Sequence, residues 1–353
     1  MRAKNLAALR RKLLRWYAKN KRDLPWRKNA DPYAIWIAET MLQQTQVKTV
    51  LPYYERFLEA YPALEALARA SRWQILRLWS GLGYYRRAAH LRAAARRLVD
   101  DHGGKFPQNY DALRALPGIG DYTAGALLSM AFQKRYPAVD GNALRVLSRV
   151  FNLTSRAEVR AIAARLVPRS RPGAFNQALM ELGATVCLSS EPRCAACPIK
   201  SECALFRRGA WAHRSSTKRK SFRDVTWPLA IVRRRGKILL HRRPAGGLLA
   251  GLWELPGLEA ARKETARVAL RRELKKRIDD LPPLTRIGEL RHSITYRRIR
   301  APVYFVDCHS RPTHAPANSD WRWAARSDLE WLPMSSLSKK ALRLFELHEK
   351  NLS

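Results

Sequence analysis

Four cysteines fall in one window near the middle of the chain: Cys187, Cys194, Cys197 and Cys203, spaced C-x6-C-x2-C-x5-C. Four thiolates this close can surround one metal centre, and soft sulfur donors suit zinc or an iron–sulfur cluster. Spacing alone does not choose between the two. Two disulfides are the alternative. The first residues, MRAKNLAALRRK, hold no apolar signal-peptide core, so the expectation is a cytosolic chain with reduced thiols. A second candidate is Glu39 in AIWIAETMLQQ, among Ile35, Ile37, Ala38, Met41 and Leu42. Apolar surroundings disfavour a carboxylate's charged form and raise its pKa. Such a group can act as a general acid near neutral pH; the alternative is an ordinary exposed helix glutamate. A third is LPGIGDYTAGALL, residues 116–128. Gly118 and Gly120 permit φ > 0 and a close backbone approach. Next to a helix N-terminus their N–H groups form an anion site suited to a phosphate.

The elements that must position these residues are legible from periodicity and punctuation. Residues from about 5 to 206 read as helical, as in ALEALARASRWQILRLWSGLG. Asp31-Pro32 marks a helix start, and Gly81, Gly83, Gly103-Gly104, Gly118 and Gly120 mark ends. The stretch from Arg207 to Arg223 holds seven Lys/Arg and no acid. It reads as a basic linker, 207–224, able to lie along phosphate. After it, TWPLAIVRRRGKILLHRRP and RIGELRHSITYRRIRAPVYFVD read as strands and RVALRRELKKRI as a helix. The fold class is therefore a mainly α N-terminal region, 1–206, followed by an α+β domain, 225–353.

Charge narrows the partner. With 67 Lys+Arg against 29 Asp+Glu the net charge is +38. A cation this strong concentrates polyanions, nucleic acid first. An anionic membrane surface fits less well, because the charge is spread over the whole chain. No apolar run approaches the ~20 residues that cross a bilayer. In this context LPGIG is the helix-hairpin-helix signature, which grips the DNA backbone without reading sequence.

The chain resembles the MutY family of adenine DNA glycosylases over essentially its full length. The stretches that carry the likeness are LPWR (24–27), AETMLQQTQV (38–47), GLGYYRRA (81–88), HGGKFP (102–107), LPGIGDYTAG, VDGNALRVLSR, FNQALMELG (175–183) and the four cysteines. The resemblance implies two helical lobes with an iron–sulfur loop, a [4Fe–4S] cluster on Cys187, Cys194, Cys197 and Cys203, and a Nudix-like C-terminal domain for lesion recognition. The cluster would shape a loop that presents Arg193 and Lys200 to phosphate. The substrate would be double-stranded DNA with an A:8-oxoguanine or A:G mispair. The protein would be a monomer in a bacterial cytoplasm, with no membrane partner.

The same resemblance assigns roles. Glu39 would protonate N7 of a flipped adenine. Asp140, in VDGN, would stabilise the oxocarbenium-like charge or attack C1′, as in two-carboxylate glycosidases; it also has the place of a helix N-cap. Asn142 would orient that carboxylate or the water. Tyr122 stands where bifunctional relatives carry a Schiff-base lysine, and a phenol forms no imine, so the enzyme would be monofunctional. Trp26, Arg27, Gln177 and Glu181 would build the base pocket. Gln43 and Tyr84 would wedge into the stack beside the opposite base. Gly118 and Gly120 would hold the backbone.

Two departures stand out. Where a Nudix hydrolase needs a glutamate pair to hold Mg²⁺, this chain has Lys275, Lys276 and Arg277. A cationic helix repels the metal, so the domain reads as a recognition module. Ile294-Thr295-Tyr296 replaces the family's Phe-Ser-His element, leaving Thr295 and Tyr296 as the lesion contacts. The rival readings are a glycosylase/lyase for damaged pyrimidines of the endonuclease III type, a Nudix hydrolase with a DNA-binding extension, and a basic architectural DNA-binding protein without activity. Residue 122, the cationic helix, and intact Glu39 with Asp140 argue against them in turn.

Overall fold

Asp31 does what an N-cap must do. Its two carboxylate oxygens accept from the backbone N–H of Tyr33 and Ala34 at 3.0 and 3.2 Å, and Pro32 follows at the first helical position. In the computed structural model, which describes residues 3–209, 222–244, 247, 249–261, 263–308, 320–329 and 331–351, helices then follow one another to the cysteine window. They are α1 (Ala3–Asn20), α2 (Pro32–Leu42), α3 (Val47–Ala60), α4 (Leu64–Arg69), α5 (Arg72–Trp79), α6 (Arg86–His102), α7 (Tyr110–Arg114), α8 (Asp121–Met130), α9 (Gly141–Phe151), α10 (Arg156–Leu166), α11 (Pro172–Thr185) and α12 (Ala204–Arg207).

The chain divides into two compact units. One comprises Met1–Ala70 with Ala89–Lys218, the other Ser71–Ala88 with Arg219–Ser353. In the first unit, α1, α9, α10 and α11 share one apolar core built on Leu9, Leu13, Val146, Leu147, Val159, Phe175 and Leu182. Helices α2 and α8 are buried along most of their length rather than on one face. Small residues let the chain pack tightly around α8. A Cβ on Gly125 would lie 2.1 Å from the carbonyl oxygen of Pro137, and one on Gly173 would lie 2.6 Å from that of Ser129.

The second unit is built on a mixed sheet of β1 (Arg223–Thr226), β2 (Leu229–Arg234), β3 (Lys237–Arg242), β4 (Trp253–Glu254), β5 (Thr285–Ile294), β6 (Arg297–Asp307) and β7 (Trp321–Ala324). The order is β1-β6-β2-β3-β4, with β5 on β6 and β7 on β3. β6 runs parallel to β1 and β2 and antiparallel to β5. The run Leu229-Ala-Ile-Val232 is apolar throughout because both sheet faces are covered. Leu229 and Ile231 face one core with Leu337, Ala341 and Phe345 of α15 (Ser336–Lys350), whereas Ala230 and Val232 face the other with Leu270 and Leu274 of α13 (Ala266–Lys275). A short α14 (Arg326–Leu329) lies between β7 and α15.

The helical region followed by an α+β domain is as expected. The sequence reading did not assign α15, nor the grouping of Ser71–Ala88 with the C-terminal strands. Within the second unit Ser80 Oγ donates to the Met334 carbonyl at 3.0 Å, and Arg77 lies 5.2 Å over the Trp331 ring. Residues 210–221 of the basic linker, and 246 and 248 of GGLLAGLWELPG, lie outside the described residues. Gly125→Ala should destabilise the first unit by about 1–3 kcal/mol, the cost of overpacking against backbone that cannot retreat. The check is the urea midpoint, and an unchanged midpoint would contradict this close approach.

Candidate active site

Glu39 sits in the last turns of α2 with 5% of its surface exposed. Burial is the main force on its carboxyl and pushes it up to about 7. A hydrogen bond from Tyr122 opposes that rise, the charge of Asp140 adds to it, and Arg27 opposes it. The Tyr122 hydroxyl donates to Glu39 Oε2 and also lies 3.7 Å from Met180 Sδ. The phenol itself is pushed well above its ordinary value by burial and by the charges of Glu39 and Asp140. It therefore keeps its proton and acts as a donor.

The turn before α8 places Tyr122. Gly118 has φ +77°, and a Cβ there would meet His90 Cβ at 2.6 Å, so glycine is required twice over. Gly120 is the extended N-cap of α8. The first turn of that helix carries Asp121, which pairs with Arg114 at 2.8 Å and Arg160 at 3.1 Å.

Asp140 caps α9. Its Oδ1 accepts from the Ala143 N–H at 2.7 Å and its Oδ2 from Asn142 Nδ2 at 2.8 Å. Asn142 is fixed in turn. Its Oδ1 accepts from Arg145 Nη2 at 2.8 Å, and that same nitrogen donates to the Gly183 carbonyl at 2.7 Å. Gly183 allows this approach, because a Cβ there would lie 2.6 Å from Asn142 Cβ.

A third carboxylate, Glu181 on α11, is fully buried but differently partnered. Arg22 Nε and Arg27 Nη2 pair with it at 2.6 and 2.7 Å. Burial acts to raise its pKa, and hydrogen bonds and charges from Arg22 and Arg27 outweigh that effect and hold it below the ordinary value. One turn earlier, Gln177 Oε1 accepts from the Tyr17 hydroxyl. Trp26 is 5% exposed and meets Tyr54 edge-on at 5.1 Å.

The candidate site residues border one cleft of about 1530 Å³ in the first unit. Glu39, Gln43, Gly118, Gly120, Tyr122, Asp140, Asn142, Gln177, Glu181, Trp26 and Arg27 all line it. Sequence reasoning missed Tyr17, Arg22, Arg145 and Met180. The partners of Tyr17, Arg22 and Met180 lie 160, 159 and 58 residues away, beyond any local spacing, whereas Arg145 meets Asn142 three residues before it on α9. Tyr84, Thr295 and Tyr296 belong to the second unit. Tyr84 has φ +49°, is 47% exposed and lies under Arg87, 5.3 Å from its ring. Thr295 and Tyr296 form the two-residue turn between β5 and β6. There Thr295 has φ +55° and bonds the Ile294 carbonyl at 2.7 Å, and Tyr296 is 52% exposed.

The expected [4Fe–4S] cluster is a correction. Among the described residues no group of three or more His, Cys, Asp or Glu side chains could hold a metal ion. Cys187, Cys194, Cys197 and Cys203 are free thiols bordering a small pocket with Val146, Leu182 and Ile199. Burial, with neighbouring cysteines adding to it, pushes the thiols of Cys194, Cys197 and Cys203 up, Cys197 to about 11. Cys187, Cys197 and Cys203 pack instead against the α1–α9–α10–α11 core as small apolar side chains. The loop is tied down by Arg149, which donates to the carbonyls of Leu188 and Ser189 at 2.6 and 2.8 Å.

Comparisons with known proteins agree with this architecture. Residues 37–169 match the HhH-GPD superfamily of base excision DNA repair proteins, and residues 229–344 match the NUDIX domain. An adenine DNA glycosylase of Rattus norvegicus is 36% identical over 98% of this chain and 79% of its own length. That of Homo sapiens is 34% identical over 97% of this chain and 74% of its own. Among solved structures, a thermostable thymine-DNA glycosylase is 31% identical with a TM-score of 0.55, covering 58% of this chain and 98% of that one. A trapped endonuclease III–DNA covalent intermediate has a TM-score of 0.52 at 21% identity, over 59% of this chain and 99% of that one, and speaks for the fold alone. With a helical unit that gathers Glu39 and Asp140 in one cleft and relatives more than 30% identical over nearly the whole of this chain, the chain belongs to the adenine DNA glycosylase family.

Proposed function

We propose that this protein is a monofunctional glycosylase of base excision repair that removes adenine lying opposite 8-oxoguanine or guanine in double-stranded DNA. The observation that carries the reading is the buried carboxyl of Glu39, which burial pushes up to about 7, in a cleft with a second carboxylate, Asp140. A neutral acid can deliver a proton to adenine N7, which turns the base into a better leaving group. As the glycosidic bond lengthens, Asp140 offsets the positive charge on the sugar or closes on C1′. Asn142 and Arg145 keep that carboxylate aimed. Water completes the hydrolysis. Tyr122 holds Glu39 in place and offers no amine for an imine, so strand scission is not part of the reaction.

The pocket supports base recognition. Tyr17 occupies the Gln177 carbonyl oxygen, which leaves the amide NH₂ to face an extruded base. Glu181 anchors Arg22 and Arg27 at the wall that Trp26 completes. The helix N-terminus behind Gly118 and Gly120 suits a DNA phosphate. In this reading Gln43 and Tyr84 enter the base stack, and Thr295 and Tyr296 touch the opposite lesion. The α+β domain from about residue 225 serves recognition. The acids left on and before α13 are already neutralised, Glu264 by Arg272 at 2.8 Å and Glu273 by Lys276 at 2.7 Å, which disfavours a divalent-metal hydrolase.

The test is a duplex with a single adenine opposite 8-oxoguanine. Free adenine should be released, and the strand should break only after alkali, with no borohydride-trapped adduct. Trapping would point to lyase chemistry, and binding without base release to an architectural protein. Glu39→Gln should lower the single-turnover rate by about 10²–10⁴ with DNA binding kept. A near-normal rate would show that the acid is elsewhere. Because the protonated carboxyl is the active form, the wild-type rate should fall about tenfold per pH unit above about 7.

Stability gives an independent reading of the same group. The folded state holds the Glu39 proton up to about 7, whereas an unfolded chain releases it near the ordinary glutamate value. The folded state thus binds the extra proton, and stability is lost as pH rises between those two values. Glu39→Gln cannot ionise and should be more stable than wild type at pH 8, by roughly 3 kcal/mol at most. The difference should shrink on acidification towards pH 4.5, as chemical denaturation at each pH will show. A variant less stable at pH 8 would contradict the buried-acid reading.

A further inference from the structure

Two tyrosines stand side by side in the loop between α5 and α6, in opposite settings. Tyr85 is 7% exposed, and its hydroxyl accepts from the Gly81 N–H at 3.1 Å. Tyr84 is 47% exposed, with its backbone in the left-handed region at φ +49°. Gly81 and Gly83 reach that region freely, at φ +104° and +79°. A residue with a bulky ring does not. Such a backbone persists only where its surroundings over-determine it, and it gathers at functional positions.

Arg87, in the first turn of α6, supplies those surroundings. It is a buried arginine, 9% exposed. Its guanidinium lies 5.3 Å over the Tyr84 ring and 5.5 Å over the ring of the fully buried Trp79. Its Nη2 donates to the Gly83 carbonyl at 3.1 Å, and the Trp79 indole N–H donates to the same oxygen at 3.1 Å. The Arg87 backbone N–H donates to the Tyr84 carbonyl at 2.9 Å. Burial pulls the guanidinium down to about 10, which leaves it charged at neutral pH. Taking a cation out of water is costly, and a long side chain that reaches solvent avoids that cost. This one keeps its charge against two rings and a loop carbonyl. The result is an exposed ring braced by a buried cation.

We propose that Arg87 is a positioning residue for base extrusion, holding Tyr84 through its ring face as a rigid wedge. The proposal rests on the reading that Tyr84 enters the base stack, and it names what fits the side chain for that task. A wedge between bases works against their stacking. A tyrosine on a loop of glycines would swing aside under that load, whereas one braced by a buried guanidinium stays in place. Arg87 is itself buried and offers no phosphate contact, so it acts only through the ring it holds.

The test places 2-aminopurine at the target adenine opposite 8-oxoguanine and reads its fluorescence, which rises as the base leaves the stack. Arg87→Met removes the charge and keeps an unbranched side chain. It should lower the extrusion signal, and the single-turnover rate on adenine, about tenfold, the scale of a desolvated cation–π contact. The salt dependence of affinity for undamaged duplex should stay at the wild-type slope, because no phosphate contact is lost. Arg87→Lys should not restore extrusion, since an ammonium lacks the flat face that stacks on a ring. Tyr84→Phe keeps the ring and should behave as wild type. The deciding comparison is the double variant. Because Arg87 acts through Tyr84, Arg87→Met should add nothing to the loss caused by Tyr84→Ala. Losses that add, as a general weakening of the fold would produce, overturn the proposal, and so does wild-type extrusion by Arg87→Met. Should Arg87→Met fail to fold, Arg87→Lys takes its place in the same cycle. Full extrusion by Tyr84→Ala overturns the wedge reading beneath the proposal, and it shows with Arg87 unchanged.

Discussion

The candidate site in the first unit turns on one contact, the Tyr122 hydroxyl against the buried Glu39 carboxyl. A carboxylate taken out of water without a cation is costly, and the group responds by holding its proton. Two helices must meet to create that condition. α2 supplies the acid among Ile35, Ile37 and Met41, and α8 supplies the phenol two residues after the Gly118–Gly120 turn. Both helices are enclosed by core, and glycines at 125 and 173 let the surrounding backbone close in on α8. The enclosure matters for the chemistry, because a carboxyl shielded from water keeps its proton closer to neutral pH.

Three of the carboxylates that line the cleft have three different settings. Glu39 has a neutral donor and apolar walls. Asp140 has a helix N-terminus and an amide, Asn142, that Arg145 and Gly183 hold in place. Glu181 has two guanidinium groups and is committed to building the wall. In the proposed mechanism the same functional group serves as an acid, a charge stabiliser and an anchor, with environment alone deciding which. Substituting one cannot be read as substituting another.

The local parts of this arrangement were legible in the sequence. Asp31-Pro32 announced the start of α2 and the glycines of LPGIG announced the turn before α8, whereas the residues around Glu39 left an exposed helix glutamate open and only the family resemblance pointed to an acid there. The strands of the C-terminal domain were legible from their apolar runs. What local reading could not reach were contacts between residues far apart in the chain. Arg22 and Arg27 meet Glu181 across 159 and 154 positions, and Tyr17 meets Gln177 across 160. The grouping of Ser71–Ala88 with the C-terminal strands is of the same kind. The cysteine window shows the opposite error. A spacing that can hold a metal was read as one that does, whereas among the described residues no such group is assembled and Cys187, Cys197 and Cys203 pack as small apolar side chains on a helical core.

The most direct measurement is the titration of Glu39 itself, by carbon-13 NMR of the labelled side chain in the folded protein. Burial opposed by the Tyr122 bond places its midpoint near 7, and Asp140→Asn should move that midpoint down, because the charge of Asp140 helps to hold the proton. A midpoint near the ordinary glutamate value of about 4.3, unmoved by Asp140→Asn, would contradict the claim that the fold exists to keep this carboxyl neutral.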